Sequence, residues 1–194
     1  MTLDSPVDLR ESIIKDLLVH DIVKFGDFTL KSGQKSNIYF DFRLLISYPQ
    51  TLSKIARLLP MCFPELDGTS IDLLAGVPLG ALPLASFLSQ HTELPQILYR
   101  DTVKSHGTQR RIEGNYQKGQ KVGVIEDVVT TGNSVLETCR QLELEGLEVS
   151  FILCLLDRRE DRKTGPDTVR SIGYQSELGD RKLLALFTKA DFRT

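Results

Sequence analysis

A chain of 194 residues has room for one domain of ordinary size. Hydrophobic residues at 41% and charged residues at 26% exclude an intrinsically disordered chain. The 24 basic and 26 acidic side chains leave a net charge of -2, which excludes a global electrostatic footprint for nucleic acid or an anionic membrane. Any polyanion must therefore meet a local basic cluster.

In chain order, Leu9, Ile13, Leu17 and Leu18 recur at helical spacing and predict a helix over 8–19. Aromatic and β-branched runs at 28–30 and 38–42 flank a polar stretch with Gly33 and predict a hairpin. Pro49 opens a helix that carries Leu52, Ile55, Leu58 and Leu59. An alternation follows: strand 71–74, helix 81–89, strand 96–99, polar loop 100–119, strand 122–125, helix 134–144 and strand 149–156. The tail reads as a helix near 166–172, a short strand near 173–177 and a helix near 180–187. Short apolar strands alternating with helices predict an α/β fold, a mostly parallel central sheet flanked by helices on both faces. Ligands of such sheets bind beyond the carboxyl ends of the strands.

The most apolar stretch, 73–88, contains Pro78 and Pro83 and falls short of the ~20 residues of a membrane helix. Cys62, Cys139 and Cys154 are odd in number and form no Cys-x-x-Cys pair, so buried free thiols are expected rather than a disulfide framework or zinc site. The acidic opening residues lack a basic flank before an apolar run, so no signal peptide is expected, and the cytoplasm is the expected compartment.

The sharpest motif is Val122-Gly-Val-Ile-Glu126-Asp127-Val128-Val129-Thr130-Thr131-Gly132-Asn133-Ser134. An apolar strand ends in two carboxylates, and a loop of hydroxyl residues and glycine opens a helix. Backbone N–H groups, hydroxyls and the positive helix end suit a monophosphate. The carboxylates suit vicinal sugar hydroxyls or a metal. The plainer alternative is a strand end followed by a helix capped by Ser134 or Thr131.

The local basic cluster is Arg100-Asp101-Thr-Val-Lys104-Ser-His106-Gly107-Thr-Gln-Arg110-Arg111-Ile-Glu113-Gly114. It is either a solvated polar hairpin or a cationic flap able to close over a pyrophosphate. Gly76-Val77-Pro78-Leu79-Gly80 ends another strand, where exposed N–H groups suit pyrophosphate oxygens. Further upstream, Lys31 suits an anionic ring substituent, and Tyr39 and Phe40 suit the walls of a planar base. Arg158 stands at the carboxyl end of its strand, where its fork suits a carboxylate, although it also belongs to a charge run.

The acidic-pair string resembles the phosphoribosyl-pyrophosphate motif of type I phosphoribosyltransferases. The flap, with Arg-x-x-x-Lys-x-His-Gly and then Ile-Glu-Gly, resembles the catalytic loop of the orotate phosphoribosyltransferase family, and Phe28-Thr-Leu-Lys31-Ser-Gly33 resembles its N-terminal string. The resemblance runs from about residue 13 to 161, with four segments in the family's order.

It implies one type I phosphoribosyltransferase domain over 1–194, with an N-terminal hood at about 1–45, a core at about 46–194 and a flexible catalytic loop. It implies transfer of ribose 5-phosphate from phosphoribosyl pyrophosphate to orotate with Mg2+, in pyrimidine synthesis. No protein metal site is implied, since Mg2+ would be held mainly by pyrophosphate and ribose hydroxyls. Lys104, His106, Arg100 and Asp127 would be catalytic. Glu126 and Asp127 would hold the ribose hydroxyls, and residues from Val128 and Val129 through Thr130, Thr131, Gly132, Asn133 and Ser134 the 5-phosphate. Val77, Pro78 and Leu79 would receive pyrophosphate. Lys31, Tyr39, Phe40 and Arg158 would bind ligand, Arg158 at the orotate carboxylate. A homodimer is implied, with loop 100–114 reaching the partner's site, and a complex with the next pathway enzyme is compatible. The sequence departs from the family at Asp101 and Leu79, where lysine and tyrosine are usual, and at Asn37, commonly proline; Gly80 lacks the lysine some members carry. A transferase for another base stays open, with Lys31 and Arg158 as the discriminating residues, since an anionic base needs them and a neutral purine does not. Asp101 and Leu79 keep open a weakly active or non-enzymatic protein of the same fold that binds phosphoribosyl pyrophosphate or a nucleotide, against which Lys104 and His106 speak.

Overall fold

A reciprocal capping box starts the first helix, α1 (Pro6–Val19). Ser5 Oγ accepts from the Asp8 amide at 3.2 Å, and Asp8 Oδ2 accepts from the Ser5 amide at 3.3 Å. The computed structural model describes residues 5–29, 35–66, 71–100, 111–159, 174–178 and 181–192. Helix α1 buries Leu9, Ile13 and Leu17. Strands β1 (Val23–Thr29) and β2 (Lys35–Phe40) pair antiparallel as the expected hairpin, but Phe42 leaves it for a 3-10 helix, Phe42–Ser47. Helix α2 (Pro49–Cys62) is tied to α1 through Asp16, which accepts from Thr51 Oγ1 at 3.1 Å and Lys54 Nζ at 2.7 Å.

The remaining elements are β3 (Leu73–Gly76), α3 (Leu82–Thr92), β4 (Gln96–Tyr99), β5 (Ile112–Glu113), β6 (Lys121–Val129), α4 (Asn133–Leu144), β7 (Glu148–Asp157), β8 (Tyr174–Leu178) and β9 (Arg181–Thr188). They build a seven-stranded sheet in the order β5-β4-β3-β6-β7-β9-β8. Strands β3, β4, β6, β7 and β9 run parallel, and β5 and β8 are antiparallel edges. From β3 the chain moves outward to β4, then returns past β3 to β6 and continues the other way. The segments after β3 and β6 therefore diverge, and this switch point opens a crevice at their carboxyl ends.

Three sequence expectations are corrected. The segment near 180–187 is strand β9, not a helix. Its leucines and alanine favour a helix locally, but Leu183 through Phe187 are all buried beside β7, and a short continuous apolar run is the pattern of a parallel strand covered on both faces. The loop after β4 contains the two-residue strand β5, too short for any periodicity to mark it. Strand β6 runs on to Val129, so Glu126 and Asp127 lie within it rather than after it, because β7 continues alongside to Asp157. The helix expected near 166–172 lies outside the described residues.

Cys62, Cys139 and Cys154 are buried and free. No helix among the described residues is long and apolar enough to cross a membrane. A ring contact joins the hairpin to the sheet: Phe192 packs edge-on against both Phe40 and Phe187, each at 5.4 Å between ring centroids. Arg10 lies 5.0 Å over the Phe187 ring and pairs with Asp191 at 2.6 Å. Truncating Phe187 removes the centre of this contact and leaves a cavity. Phe187→Ala is expected to lower the unfolding free energy by about 3–5 kcal/mol, measured by denaturant titration.

Candidate active site

The parallel ladder of β6 ends at Val129, and the chain turns into α4 through Thr130, Thr131 and Gly132. Gly132 is the N-cap and has φ 86°, a left-handed conformation that L side chains resist. Its hydrogen position faces Leu178, and a Cβ there would lie 2.7 Å from Leu178 Cδ1. No side chain caps α4, so the expected alternative of Ser134 or Thr131 as the cap does not hold. Thr131 Oγ1 instead accepts a long 3.4 Å bond from the Asn133 amide. Thr130, Thr131, Asn133 and Ser134 are exposed. An uncapped helix start with exposed hydroxyls is a ready anion site.

Glu126 is only 6% exposed, and Asp127 is half-buried. Each folds onto the backbone: Glu126 Oε1 accepts from the Asp127 amide at 2.9 Å, and Asp127 Oδ1 from the Val128 amide at 2.8 Å. Burial, then hydrogen bonding and repulsion from Asp127, push the Glu126 carboxyl far above the ordinary carboxylate range. The low-dielectric setting thus favours the neutral form of the Glu126 carboxyl. Val128 is half-buried and Val129 fully buried, so these two contribute backbone rather than side chain to the turn.

The segment after β3 meets this pair. Val77 is buried, with its amide on the Ile125 carbonyl at 2.8 Å; Pro78 is half-buried, and Leu79 is 81% exposed beyond a cis Pro78–Leu79 peptide. Asp127 lies directly over Gly80: a Cβ there would collide with Oδ2 and sit 2.8 Å from Cγ. The lysine that some family members carry at this position has no room while Asp127 keeps this rotamer.

At the end of β7, Arg158 donates its amide to the Val129 carbonyl at 2.9 Å, and its guanidinium carbon lies 5.7 Å over the Phe40 ring. Its Nε is buried with no hydrogen-bond partner among the described residues. Burial pulls its pKa below the usual guanidinium value, opposed by Tyr39 nearby. Tyr39 and Phe40 are successive strand residues and so face opposite sides of β2. Phe40 is buried beneath Arg158, whereas Tyr39 is half-buried with its ring 5.4 Å from Phe28.

The structure thus gathers residues 77–80, Glu126, Asp127, the 130–134 turn and Arg158 at neighbouring carboxyl ends of β3, β6 and β7. Arg100 is held elsewhere, on Glu113 at 3.1 Å within the β4–β5 hairpin. Lys31, Lys104 and His106 lie outside the described residues.

A phosphoribosyl transferase domain matches residues 46–172. The orotate phosphoribosyltransferase of Pyrococcus furiosus is 40% identical over 155 residues, 80% of this chain and 85% of that one. The chain belongs to the orotate phosphoribosyltransferases. The uridine 5'-monophosphate synthase of Bos taurus is 38% identical over 169 residues, 86% of this chain but 34% of that longer one. In three dimensions the chain is similar to the orotate phosphoribosyltransferase of Aeropyrum pernix, with 29% identity, a TM-score of 0.71, and 92% of this chain and 94% of that one covered.

Beyond the family's motifs, sequence reasoning missed three groups at this family member's crevice. Gly80 reads as a plain turn residue, and only the fold puts a carboxylate on it. Arg43 forks onto Asp41 at 2.7 and 2.8 Å, and the charges of Asp41, Tyr39 and Asp127 all favour its protonated form. The i,i+2 spacing in Asp-Phe-Arg after β2 was its available signal. Arg159 pairs with buried Asp157, hidden in the sequence by the surrounding charge run.

Two outcomes follow from this geometry. Gly80→Ala should displace Asp127, lowering kcat/KM in the family's reaction about tenfold or more in steady-state kinetics. Its thermal midpoint should change little, because Gly80 is half-buried and outside the left-handed region. Glu126 has a raised folded-state pKa, so its contribution to stability is whole below the ordinary 4.5 and is lost as pH climbs toward the raised value. Glu126→Gln does not titrate. Its thermal midpoint should therefore gain on the ligand-free wild type between about pH 5 and about pH 9. A gap independent of pH contradicts the assignment.

Proposed function

We propose that this chain transfers the 5-phosphoribosyl group of phosphoribosyl pyrophosphate to N1 of orotate, giving orotidine 5-phosphate and pyrophosphate in pyrimidine synthesis. Arg158 is the observation that supports it most. A guanidinium held half-buried, with an unpartnered Nε and an aromatic ring beneath it, is costly unless an anion completes it. Orotate carries a carboxylate, and a neutral base has no such group.

The other residues take the remaining parts of the substrates. The first amides of α4 and the hydroxyls of Thr130, Thr131 and Ser134 bind the 5-phosphate. Asp127 and Glu126 accept from the ribose hydroxyls, and backbone groups at 77–79 receive pyrophosphate. Anchoring both phosphate ends places the anomeric carbon beside N1, so that the new C–N bond forms as the C–O bond to pyrophosphate breaks, and the proton of N1 is released to the departing pyrophosphate or to water. Lys104 and His106 then neutralise the departing charge and exclude water, and Arg100 joins them only on leaving its partly exposed pair with Glu113.

Mg2+ fits this donor set as an ion carried by the substrate. Asp127 offers one hard oxygen donor at the crevice, beside the backbone groups at 77–79 that would receive pyrophosphate. Mg2+ would supply charge neutralisation on pyrophosphate. The same reading carries a cytoplasmic homodimer whose loop 100–114 reaches the partner's site, and contact with the next pathway enzyme.

The test is loss of orotate absorbance with phosphoribosyl pyrophosphate, with Mg2+ and with a chelator, beside Lys104→Ala and Asp101→Lys. Activity should require Mg2+, and Lys104→Ala should lower kcat far more than it raises either KM. No turnover by either the wild type or Asp101→Lys would move the reading to a nucleotide-binding protein of the same fold.

A further inference from the structure

Two consecutive arginines leave the end of β7 and meet opposite fates. Arg158 lies over Phe40, and its buried Nε has no hydrogen-bond partner among the described residues. Arg159 is the most heavily bonded side chain in the neighbourhood. Its Nε donates to Asp157 Oδ1 at 3.0 Å and its Nη2 to Asp157 Oδ2 at 2.9 Å, a two-pronged fork. The same Nη2 donates to Ser176 Oγ at 2.9 Å, and Nη1 donates to the Glu177 carbonyl at 2.6 Å. Its own amide closes the turn onto Asp157 Oδ1 at 3.0 Å. Asp157 is 1% exposed, so the pair is buried, and it spans from β7 to the edge strand β8.

We propose that Arg159 is a positioning residue for recognition of the substrate's carboxylate, acting through Arg158. This rests on the reading of Arg158 as the ligand of that carboxylate. An unpaired guanidinium prefers solvent, and an arginine's flexible stem lets it escape there. Something must therefore hold Arg158 over Phe40 before substrate arrives. On its N-terminal side the backbone is held by the β6–β7 ladder and by the Arg158 amide on Val129. On its C-terminal side the Arg159 clamp on Asp157, Ser176 and Glu177 fixes the chain. With both sides pinned, Arg158 keeps the direction in which a planar carboxylate meets its fork. Without the clamp the turn loosens and the cation swings out. The cost then falls on binding of the anionic base and not on binding of the ribose phosphates, whose site lies on β3 and β6.

The experiment is steady-state kinetics with orotate, phosphoribosyl pyrophosphate and Mg2+ on wild type, Arg158→Gln, Arg159→Gln, Arg159→Lys and the double Gln variant. Arg159→Gln should raise the orotate KM about tenfold, with the phosphoribosyl pyrophosphate KM within about twofold. Arg159→Lys, which keeps the charge on Asp157, should recover part of the loss. The double variant should be little worse than Arg158→Gln alone, because the two act as one unit. If Arg158→Gln leaves the orotate KM unchanged, the reading of Arg158 itself falls. If it raises that KM while Arg159→Gln does not, or if Arg159→Gln raises both KM values alike, the positioning role is overturned. Should Arg159→Gln fail to fold because Asp157 is left buried and unpaired, the Asp157→Asn, Arg159→Gln double variant removes both charges at once. Its orotate KM decides on the same terms.

Discussion

Strand β6 has parallel partners on both sides, but β3 pairs with it only as far as Ile125, whereas β7 follows it to Val129. Beyond that point the chain turns into α4 through Gly132, which offers no capping side chain, and among the described residues the Asn133 amide alone of the first turn finds a side-chain acceptor, the long bond to Thr131 Oγ1. β3 has turned the other way, toward β4, so no neighbouring strand covers the gap. An open helix start of this kind suits an anion. The position of the acidic pair, the approach of Gly80 and the placement of Arg158 all follow from where these three strands stop.

Charge is handled differently inside and outside this crevice. Elsewhere, partly buried charges are matched: Arg10 with Asp191, Lys54 with Asp16, Arg181 with Glu143 and Lys182 with Glu65. At the crevice burial pushes the Glu126 carboxyl toward its neutral form, and the half-buried Arg158 has an Nε with no partner among the described residues. Both conditions oppose folding. Their concentration at one rim fits a site that sacrifices stability for readiness to bind, as violations of local rules at functional positions commonly do.

Most of the architecture was legible because hydrophobic period and turn chemistry agree with the final packing: Leu9, Ile13 and Leu17 mark the buried face of α1, Pro49 opens α2, and the 96–99 strand falls within its exact bounds. Strand β9 was not legible, since Leu183-Leu-Ala-Leu-Phe187 has no period and its partner β7 decides its form. The acidic pair and phosphate turn were readable as a contiguous string. Contacts between strands were not, so Gly80 against Asp127, Leu178 against Gly132, and Ser176 with Arg159 emerge only from the fold. The pairing of Tyr39 with Phe40 as two walls of one base pocket ran against strand alternation, which sends adjacent residues to opposite faces.

The near-balance of 24 basic and 26 acidic residues hides this division, because a count cannot tell a committed charge from a spare one. Arg158 and Arg159 are chemically identical and adjacent. The chain's turn at the end of β7 directs one toward Asp157 and β8 and the other toward Phe40. The first is consumed in holding the fold, while the second keeps a buried Nε with no partner among the described residues. Within one charge run, then, one arginine is neutralised internally and the next is not matched in the same way. The number of cations that a compact anionic ligand meets is set by the internal carboxylates and not by the net charge.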